Sequence, residues 1–172
     1  MEIEIKTVYL SLGSNLNNRI ENLESAISSI QTHIGIVTKI SAAYESESWG
    51  YESTNSYLNC CIEVKTKLSP SELLECSQRI EKDMGRIKTK SYTDRIIDID
   101  ILYFDNLTIQ QDNLTIPHPH ISQRAFVLVP LNEIIPNLVD NKHFLTINQL
   151  LHNLESFQSV KLHQHLNITN KN

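Results

Sequence analysis

Residues 94–104, DRIIDIDILYF, decide the fold of this chain. Apolar and polar side chains alternate through IDIDI at 97–101, and this two-residue period predicts a β-strand. The three isoleucines then face a core, while Asp98 and Asp100 lie side by side on the opposite face, about 6.5–7 Å apart at the backbone. The stretch therefore predicts a strand with one packed face and one acidic face.

The segments before this strand give the element order β-α-β-β-α-β. Strands are predicted at 5–12, 36–46 and 57–67, and helices at about 17–34 and 69–84. The first helix has apolar residues at steps of three and four, and the second opens with the capping box SPSE. This order is a split βαβ unit, in which two helices cover one face of a four-stranded antiparallel sheet. The opposite face then needs another cover or a ligand.

The residues after this strand predict a hairpin near 106–116, an apolar segment at 121–135 and a short helix near 146–154. No linker or repeat separates them from the rest of the chain. We therefore expect one domain over 1–172, with a core at about 3–135 and a C-terminal helix and tail at about 136–172. The polar end, which contains His163 and His165, is predicted to be disordered.

The composition favours a small intracellular protein. A chain of 172 residues with 40% apolar side chains is long enough to bury one core. Its net charge of −5 gives no general affinity for nucleic acid or anionic membranes. No apolar run reaches about 18 residues, and the start MEIEIKTVYL lacks the layout of a signal peptide. The three cysteines lack zinc-ligand spacing and are interpreted as reduced packing residues. We expect a cytoplasmic monomer that binds neither nucleic acid nor membrane.

The paired carboxylates of Asp98 and Asp100 need positive charge nearby. Two charged carboxylates this close repel each other, and partial burial without cations would cost several kcal/mol. Oxygen ligands suit Mg²⁺, and a carboxylate pair can hold two ions about 3.5–4 Å apart. The alternative is two surface aspartates capped by Arg95 and Lys88 with no metal.

Four cations, Arg86, Lys88, Lys90 and Arg95, precede the strand within the loop at 86–95. Such a run is commonly just a solvated loop. Beside paired carboxylates, however, cations and metal together form a cradle for a polyphosphate. The chain contains neither G-x-x-x-x-G-K-[ST] nor G-x-G-x-x-G, so side chains and metal must hold any phosphates.

The stretch IPHPHISQRAFVLVPL at 116–131 carries further candidate groups. His118 and His120 form an isolated H-x-H, which is weak support for a zinc site. The simpler interpretation is that His118 donates a hydrogen bond to phosphate beside Arg124. Phe126 here and Tyr57 on the third strand are either packing aromatics or the two walls of a slot for a flat heterocycle. In the second case Asn59 supplies an amide to its edge.

Six motifs, in order along the chain, together resemble the 6-hydroxymethyl-7,8-dihydropterin pyrophosphokinase family. They are LSLGSNLNNR at 10–19, YESESWG at 44–50, YLN at 57–59, QRIEKDMGR at 78–86, DRIIDIDILYF at 94–104 and IPHPHISQRAFVLVPL at 116–131. The resemblance implies a ferredoxin-like α+β sandwich with a C-terminal extension. It also implies a Mg²⁺-dependent enzyme of folate biosynthesis that transfers diphosphate from ATP to the pterin hydroxymethyl group and releases AMP.

The resemblance also implies roles for individual residues. Two Mg²⁺ ions would be held by Asp98 and Asp100, which count as catalytic together with Arg86 and Arg95. The ATP contacts would come from Gln78, Glu81, Arg86, Lys88, Arg95, Ile101, Thr115, His118 and Arg124. The pterin contacts would come from Ser46, Trp49, Tyr57, Asn59, Asp98 and Phe126.

The chain departs from the family at three places. The segment before the aspartates often reads tryptophan, glycine, proline, arginine, whereas this chain has Tyr92, Thr93, Asp94 and Arg95. Lys88 stands where arginine is frequent and gives only a point charge, and a serine replaces a frequent proline at 48. These changes affect loop closure and affinity and leave the reaction class intact.

Two other classes of function are compatible with the element order. RNA recognition motifs share it, but they predict a basic face and a K/R-G-F/Y-G/A-F-V-x-F/Y strand, which this chain lacks. A ligand-sensing ferredoxin-like domain without catalysis would leave Asp98, Asp100 and Arg95 with no task.

Overall fold

The computed structural model contains the predicted element order. The structure describes residues 4–87, 91–155 and 159–168. The strands are β1 (Lys6–Ser14), β2 (Gly35–Ile40), β3 (Ala43–Ser46), β4 (Tyr57–Thr66), β5 (Asp98–Phe104), β6 (Ile109–Gln111), β7 (Leu114–Ile116), β8 (Val139–Asp140), β9 (Leu145–Thr146) and β10 (Lys161–Gln164). The helices are α1 (Arg19–His33), α2 (Pro70–Asp83), α3 (Ala125–Ile134) and α4 (Ile147–His152).

The main sheet is antiparallel, with the strand order β10-β3-β4-β1-β5, and β2 also pairs with β4. Strand β1 lies between β4 and β5. Its register places Gly13 opposite Asp98 and Ser11 opposite Asp100. The carboxylate pair therefore lies on the last strand of the sheet, directly beside the glycine end of β1.

The helices α1 and α2 cover one face of the sheet, as predicted. Their buried residues, such as Leu23, Ile27 and Ile80, share one core with Ile97, just before β5, and with the two isoleucines of β5. Helix α2 begins with the predicted capping box, in which Ser69 and Glu72 each bond the other's backbone N–H, and with a proline in its first turn. Gly85 follows the helix with φ +95°, a conformation that favours glycine.

Helix α3, within the predicted apolar segment at 121–135, covers part of the opposite face. Leu128 and Leu131 of this helix pack in a second core with Tyr9, Cys61 and Leu102. The predicted need for another cover on this face is met by α3 over this part of the sheet.

A bulge in β5 adjusts this strand to both cores. Ile101 pairs with Leu10 and Tyr103 pairs with Tyr9, so Leu102 is an extra residue in the ladder. Ile99 and Ile101 lie in the core under α1 and α2, whereas Leu102 and Tyr103 lie in the core under α3. Strict alternation would have placed Tyr103 with the isoleucines.

The single strand predicted at 36–46 is divided into β2 and β3, and the prediction of one continuous strand was wrong. Ser41 donates its backbone N–H to Cys61 O at 2.9 Å, and its Oγ accepts the Cys61 N–H at 2.9 Å. The next N–H, of Ala42, donates to the carboxylate of Glu133 on α3 at 3.1 Å. The strand breaks because α3 supplies this acceptor.

The prediction of a disordered polar end was wrong for the part of it that the structure describes. Residues Lys161–Gln164 form β10 beside β3, and Asn167 N donates to Glu24 Oε1 at 2.8 Å. His163 lies on this exposed strand. In the described ranges, no helix has the length and apolar character needed to cross a membrane.

Candidate active site

A pocket opens on the part of the sheet face that α3 leaves uncovered. Its walls come from β1, β4, β5, the loop at 47–56, the segment at 91–97 and the start of α3. The lining residues are Ser11, Gly13, Ser46, Glu47, Trp49, Tyr51, Tyr57, Asn59, Tyr92, Arg95, Asp98, Asp100, Arg124 and Phe126. Nine of the residues predicted for the site belong to this set, and they come from widely separated parts of the sequence.

Arginines surround the paired carboxylates. Arg86 Nη1 donates to Asp98 Oδ1 at 2.6 Å, and Arg95 Nη1 donates to Asp98 Oδ2 at 3.1 Å. Arg124 Nη1 lies 3.5 Å from Asp100 Oδ2. The predicted cap by Arg95 is therefore present, whereas Lys88 and Lys90 lie outside the described residues. Guanidinium groups supply the positive charge that two adjacent carboxylates require.

The donor set fits Mg²⁺. In the described part of the chain, no third metal-ligating side chain joins Asp98 and Asp100. Mg²⁺ is commonly held by one or two carboxylates, with water and substrate phosphates completing its octahedron. Burial at the pocket floor and the neighbouring Asp98 carboxylate raise the pKa of Asp100, and a cation bound there would oppose this shift.

Glu81 supports this cluster from α2. It is 5% exposed, accepts the Ile99 N–H at 2.7 Å and forms an ion pair with Arg86. The same Arg86 nitrogen bonds Glu81 and Asp98, so the guanidinium joins α2 to β5. Burial raises the pKa of Glu81 to about 7.

His118 lies beside Asp100 in the turn after β7. Its Nδ1 accepts the His120 N–H at 3.2 Å, and its Nε2 is 3.9 Å from Asp100 Oδ2. Burial, with Arg124 nearby, lowers the pKa of His118 to about 4. The imidazole is therefore neutral at pH 7, with its proton on Nε2. In the described ranges no third side chain joins the two histidines as a metal ligand.

The aromatic part of the pocket lies next to the carboxylates. Asn59 is 3% exposed and donates from Nδ2 to Ser46 Oγ at 2.9 Å, so its amide plane is fixed. The Arg124 guanidinium carbon lies 4.4 Å from the centre of the Trp49 ring and 5.7 Å from that of Phe126. Tyr57 and Phe126 both line this region.

The residues predicted for the nucleotide side fall into two groups. Gln78, Glu81 and Arg86 line a groove beside α2. Ile101 is 5% exposed within the core under α1 and α2, and Thr115 lies on β7 opposite Gln110. Neither Ile101 nor Thr115 lines the described pockets, and their roles stay predictions.

Sequence reasoning missed a group of polar contacts at the pocket rim. Tyr51 stacks on Tyr92, with ring centres 6.4 Å apart and planes at 7°. The Tyr51 hydroxyl is 2.7 Å from the Tyr57 hydroxyl and also donates to Asp94. The available signal was Asp94 itself, a charged residue at a position where proline is frequent in the family.

Carboxylates and arginines gathered on an open sheet face are typical of phosphoryl-transfer sites, so the fold and site define a transferase of the ferredoxin-like class. Residues 9–136 match the family described as 7,8-dihydro-6-hydroxymethylpterin-pyrophosphokinase (HPPK). The chain belongs to this family, whose members transfer diphosphate to a hydroxymethyl-dihydropterin in folate synthesis. The family, the fold class and the reaction class predicted from the sequence are thereby confirmed.

Several curated relatives are similar over most of the chain. The 2-amino-4-hydroxy-6-hydroxymethyldihydropteridine pyrophosphokinase of Bacillus subtilis is 42% identical, over 73% of this chain and 76% of its own length. The enzyme of that name from Haemophilus influenzae is 38% identical, over 91% of this chain and 98% of its own. The "Folic acid synthesis protein FOL1" of Dictyostelium discoideum is 39% identical, but this chain spans only 22% of its length.

A solved structure supports the fold. The HPPK-DHPS protein of Plasmodium falciparum, crystallised with pteroate, superposes with a TM-score of 0.75. The superposition covers 88% of this chain and 45% of the Plasmodium chain, at 20% identity.

Proposed function

We propose that this chain transfers the diphosphate of ATP to the hydroxymethyl group of 6-hydroxymethyl-7,8-dihydropterin, with two Mg²⁺ ions held by Asp98 and Asp100. The observation that carries this proposal is the position of the two carboxylates, which lie between a cluster of arginines and an aromatic pocket. The arginine cluster suits the phosphate chain of a nucleotide, and the aromatic pocket suits a flat heterocycle.

The phosphate contacts are assigned to Arg86, Arg95, Arg124 and His118. In the structure the arginines contact carboxylates, and phosphate oxygens offer the same fork geometry. Among the described residues, Nε of Arg124 is buried without a hydrogen-bond partner, and a phosphate oxygen would satisfy it. The neutral His118 adds one Nε2 donor, and Lys88, outside the described residues, adds a point charge. Gln78 and Glu81 are assigned to the nucleotide side.

The pterin contacts are assigned to the aromatic part of the pocket. Tyr57 and Phe126 supply flat apolar surface, which offset stacking on a heterocycle favours. Asn59 is held by Ser46, so its Oδ1 is left to accept from an amino group on the pterin edge. Trp49 closes the wall over Arg124. We assign the pterin hydroxymethyl group to the Asp98 end of this pocket, because Asp98 lines it together with the aromatic residues.

The reaction is an in-line displacement at the β-phosphorus of ATP. The substrate oxygen forms a bond to Pβ, the bond from Pβ to the α,β-bridging oxygen breaks, and AMP leaves with that electron pair. We assign Asp98 as the acceptor of the hydroxyl proton. Magnesium supplies charge neutralisation on the phosphates when bound. Positioning by the arginines contributes the rest, together with exclusion of water by the loop at 46–56 and by the loop predicted at 85–95, of which residues 88–90 lie outside the described ranges.

The RNA-binding alternative has no support in the structure. Stacking of bases on a sheet needs an open face with basic surroundings. Here α3 covers part of that face, and in the pocket that remains the arginines are paired with Asp98 and Asp100. The monomeric state, the single domain over 1–172 and the cytoplasmic location belong to this proposal as predictions.

AMP release from ATP tests the proposal directly. We expect release only when the hydroxymethyl-dihydropterin and Mg²⁺ are both present, and we expect Asp98→Ala and Asp100→Ala each to abolish it. Asp112→Ala, in the exposed turn between β6 and β7, is the matched control and should behave as the wild type. A near-normal rate in either site variant would remove the metal assignment, and absence of pterin-dependent release in the wild type would overturn the function. Thermal shift with an ATP analogue and Mg²⁺, with and without pterin, separates the enzyme from a ligand sensor.

A further inference from the structure

Asp94 is the centre of a hydrogen-bond cluster that joins two loops at the pocket rim. Its Oδ1 accepts from Ser53 Oγ at 2.6 Å, Asn15 Nδ2 at 2.8 Å and Tyr51 OH at 3.1 Å. Its Oδ2 accepts from Asn55 Nδ2 at 2.7 Å. Three of these donors belong to the loop at 47–56, and the fourth follows β1. One carboxylate therefore ties this loop to the segment at 91–97.

The cluster fixes the backbone of Arg95 on the phosphate side. Asn15 is 3% exposed, and its Oδ1 accepts the Arg95 N–H at 2.7 Å while its own N–H donates to Arg95 O at 3.2 Å. The Arg95 side chain then continues to Thr93 O, through Nε at 3.0 Å, and to Asp98. Asp94 holds the Asn15 amide in the orientation that these bonds require.

The cluster reaches the aromatic side through Tyr51. Its hydroxyl lies between the Asp94 carboxylate and the Tyr57 hydroxyl, at 3.1 and 2.7 Å. Its ring stacks on Tyr92, and Tyr92 lies 5.7 Å from the Arg95 guanidinium carbon. The Asp94 carboxylate is therefore connected by hydrogen bonds to Arg95 on the phosphate side, through Asn15, and to Tyr57 on the aromatic side, through Tyr51.

We propose that Asp94 is a positioning residue, which clasps the loop at 47–56 to the segment at 91–97 and so sets Arg95 and Tyr57 in their working places. This inference rests on the proposed function. Asp94 contacts neither reacting group itself and acts through Asn15 and Tyr51. Misplacement of a catalytic contact by about 1 Å can cost about 100-fold in rate, so a weakened clasp has a measurable effect.

Two substitutions of Asp94 separate hydrogen bonding from charge. Asp94→Ala removes all four acceptor contacts, and we expect kcat/KM for the pterin to fall about 10- to 100-fold. Asp94→Asn keeps an oxygen for Asn15, Tyr51 and Ser53, and the Asn55 amide can rotate to accept from the new NH₂. We expect this variant to lie within about threefold of the wild type. Equal losses in the two variants, or none in Asp94→Ala, would overturn the clasp.

A double-mutant cycle tests whether Asp94 acts through Arg95. In an Arg95→Ala background, Asp94→Ala should cost less than its 10- to 100-fold effect in the wild type, because one of the two groups it positions is already gone. Full additivity would show a merely structural role and would contradict the proposal. If Asp94→Ala folds poorly, Ser53→Ala combined with Asn55→Ala removes two donors from the loop and should give an intermediate loss. An unchanged kcat/KM in that variant would also count against the clasp.

Hydrogen exchange provides a readout that does not depend on turnover. Amides at 50–56 and 91–96 should exchange faster in Asp94→Ala than in the wild type or Asp94→Asn, while Asp112→Ala leaves them unchanged. If Arg95→Ala and Asp98→Ala lose turnover but Asp94→Ala does not, the clasp is wrong and the proposed function stands. If the wild type releases no AMP with pterin, the proposed function fails, and the exchange rates still decide the clasp.

Discussion

Arg86 Nη1 lies 2.6 Å from Asp98 Oδ1 and bonds the buried Glu81 with the same nitrogen. The carboxylate oxygen that a metal would use is therefore already engaged by a guanidinium. Mg²⁺ alone must displace this contact, whereas Mg²⁺ that arrives with a nucleotide also offers Arg86 a phosphate in exchange. Under the proposed function, this ion pair would link metal binding to phosphate binding.

Thermal shift should show this dependence. Mg²⁺ alone should raise Tm by about 1 °C or less, and an unhydrolysable ATP analogue with Mg²⁺, at about 100 times its Kd, should raise it by about 5–10 °C. In Arg86→Ala the shift by Mg²⁺ alone should grow, because Oδ1 of Asp98 loses its guanidinium partner while Oδ2 stays with Arg95. A large shift by Mg²⁺ alone in the wild type would contradict the dependence.

Arg95 and Lys88 should differ in their contribution to turnover. Arg95 has a fixed guanidinium that already contacts Asp98, whereas a lysine offers a mobile point charge. We expect Arg95→Ala to lower kcat/KM for ATP by more than about 100-fold and Lys88→Ala by about fivefold or less. Steady-state AMP release measures both, and Lys67→Ala, at an exposed position after β4, serves as the cationic control. Equal small losses would argue against a phosphate grip by Arg95.

His118 should make the folded protein less stable in acid. Burial lowers the pKa of His118 from 6.5 to about 4. Below pH 6.5 the unfolded chain therefore binds a proton on this imidazole, whereas the folded chain binds it only as the pH approaches 4. The contribution to stability is present above pH 6.5 and is lost as the pH falls towards 4. Between pH 7 and pH 5 this loss is about 2 kcal/mol.

Urea unfolding of wild type and His118→Gln at the two pH values measures this effect. The decrease in unfolding free energy should be about 2 kcal/mol smaller in His118→Gln than in the wild type. His163→Gln, on the exposed strand β10, should show the wild-type decrease. A parallel pH dependence of the wild type and His118→Gln would show that His118 is not the titrating group.

Gly35 should tolerate no side chain. A Cβ at this position would overlap the backbone oxygen of Lys65 on the paired strand β4. Because backbone cannot yield as a side chain does, we expect Gly35→Ala to lower the unfolding free energy by at least about 2 kcal/mol. Gly50→Ala is the comparison, since no atom lies within 4 Å of its Cβ and only its φ of +80° is unfavourable. We expect Gly50→Ala to lower the unfolding free energy by about 1 kcal/mol. Equal costs would contradict the overlap.

Local patterns predicted the elements that depend on local chemistry. The alternation in β5, the apolar stripe of α1 and the capping box of α2 each lie within one segment, so the sequence displays them directly. The break between β2 and β3 depends on Glu133, about ninety residues away along the chain, and β10 forms only because the edge of β3 is available to it. Neither leaves a periodic signal in its own residues.

The candidate site shows the same division. The paired aspartates, Arg95 and Tyr57 carry recognisable chemistry and were predicted for the site from the sequence, and the fold brings them to one pocket. The clasp at Asp94 depends on four donors, three from the loop at 47–56 and one directly after β1, none of them unusual alone. Its assembly follows from tertiary structure, so the sequence signals only that a proline is missing.

Leu102 is an extra residue in β5, so each side chain after it faces the side of the sheet opposite to the one that strict alternation would give. A single strand thereby supplies isoleucines to one layer and Tyr103 to another, while keeping both aspartates on the pocket side. Deleting one amino acid there would shorten the strand by only one residue. Each later side chain would nevertheless turn to the opposite face of the sheet and enter the wrong core. The length of this segment is consequently fixed, which makes it a poor place for an insertion or a deletion during evolution or engineering.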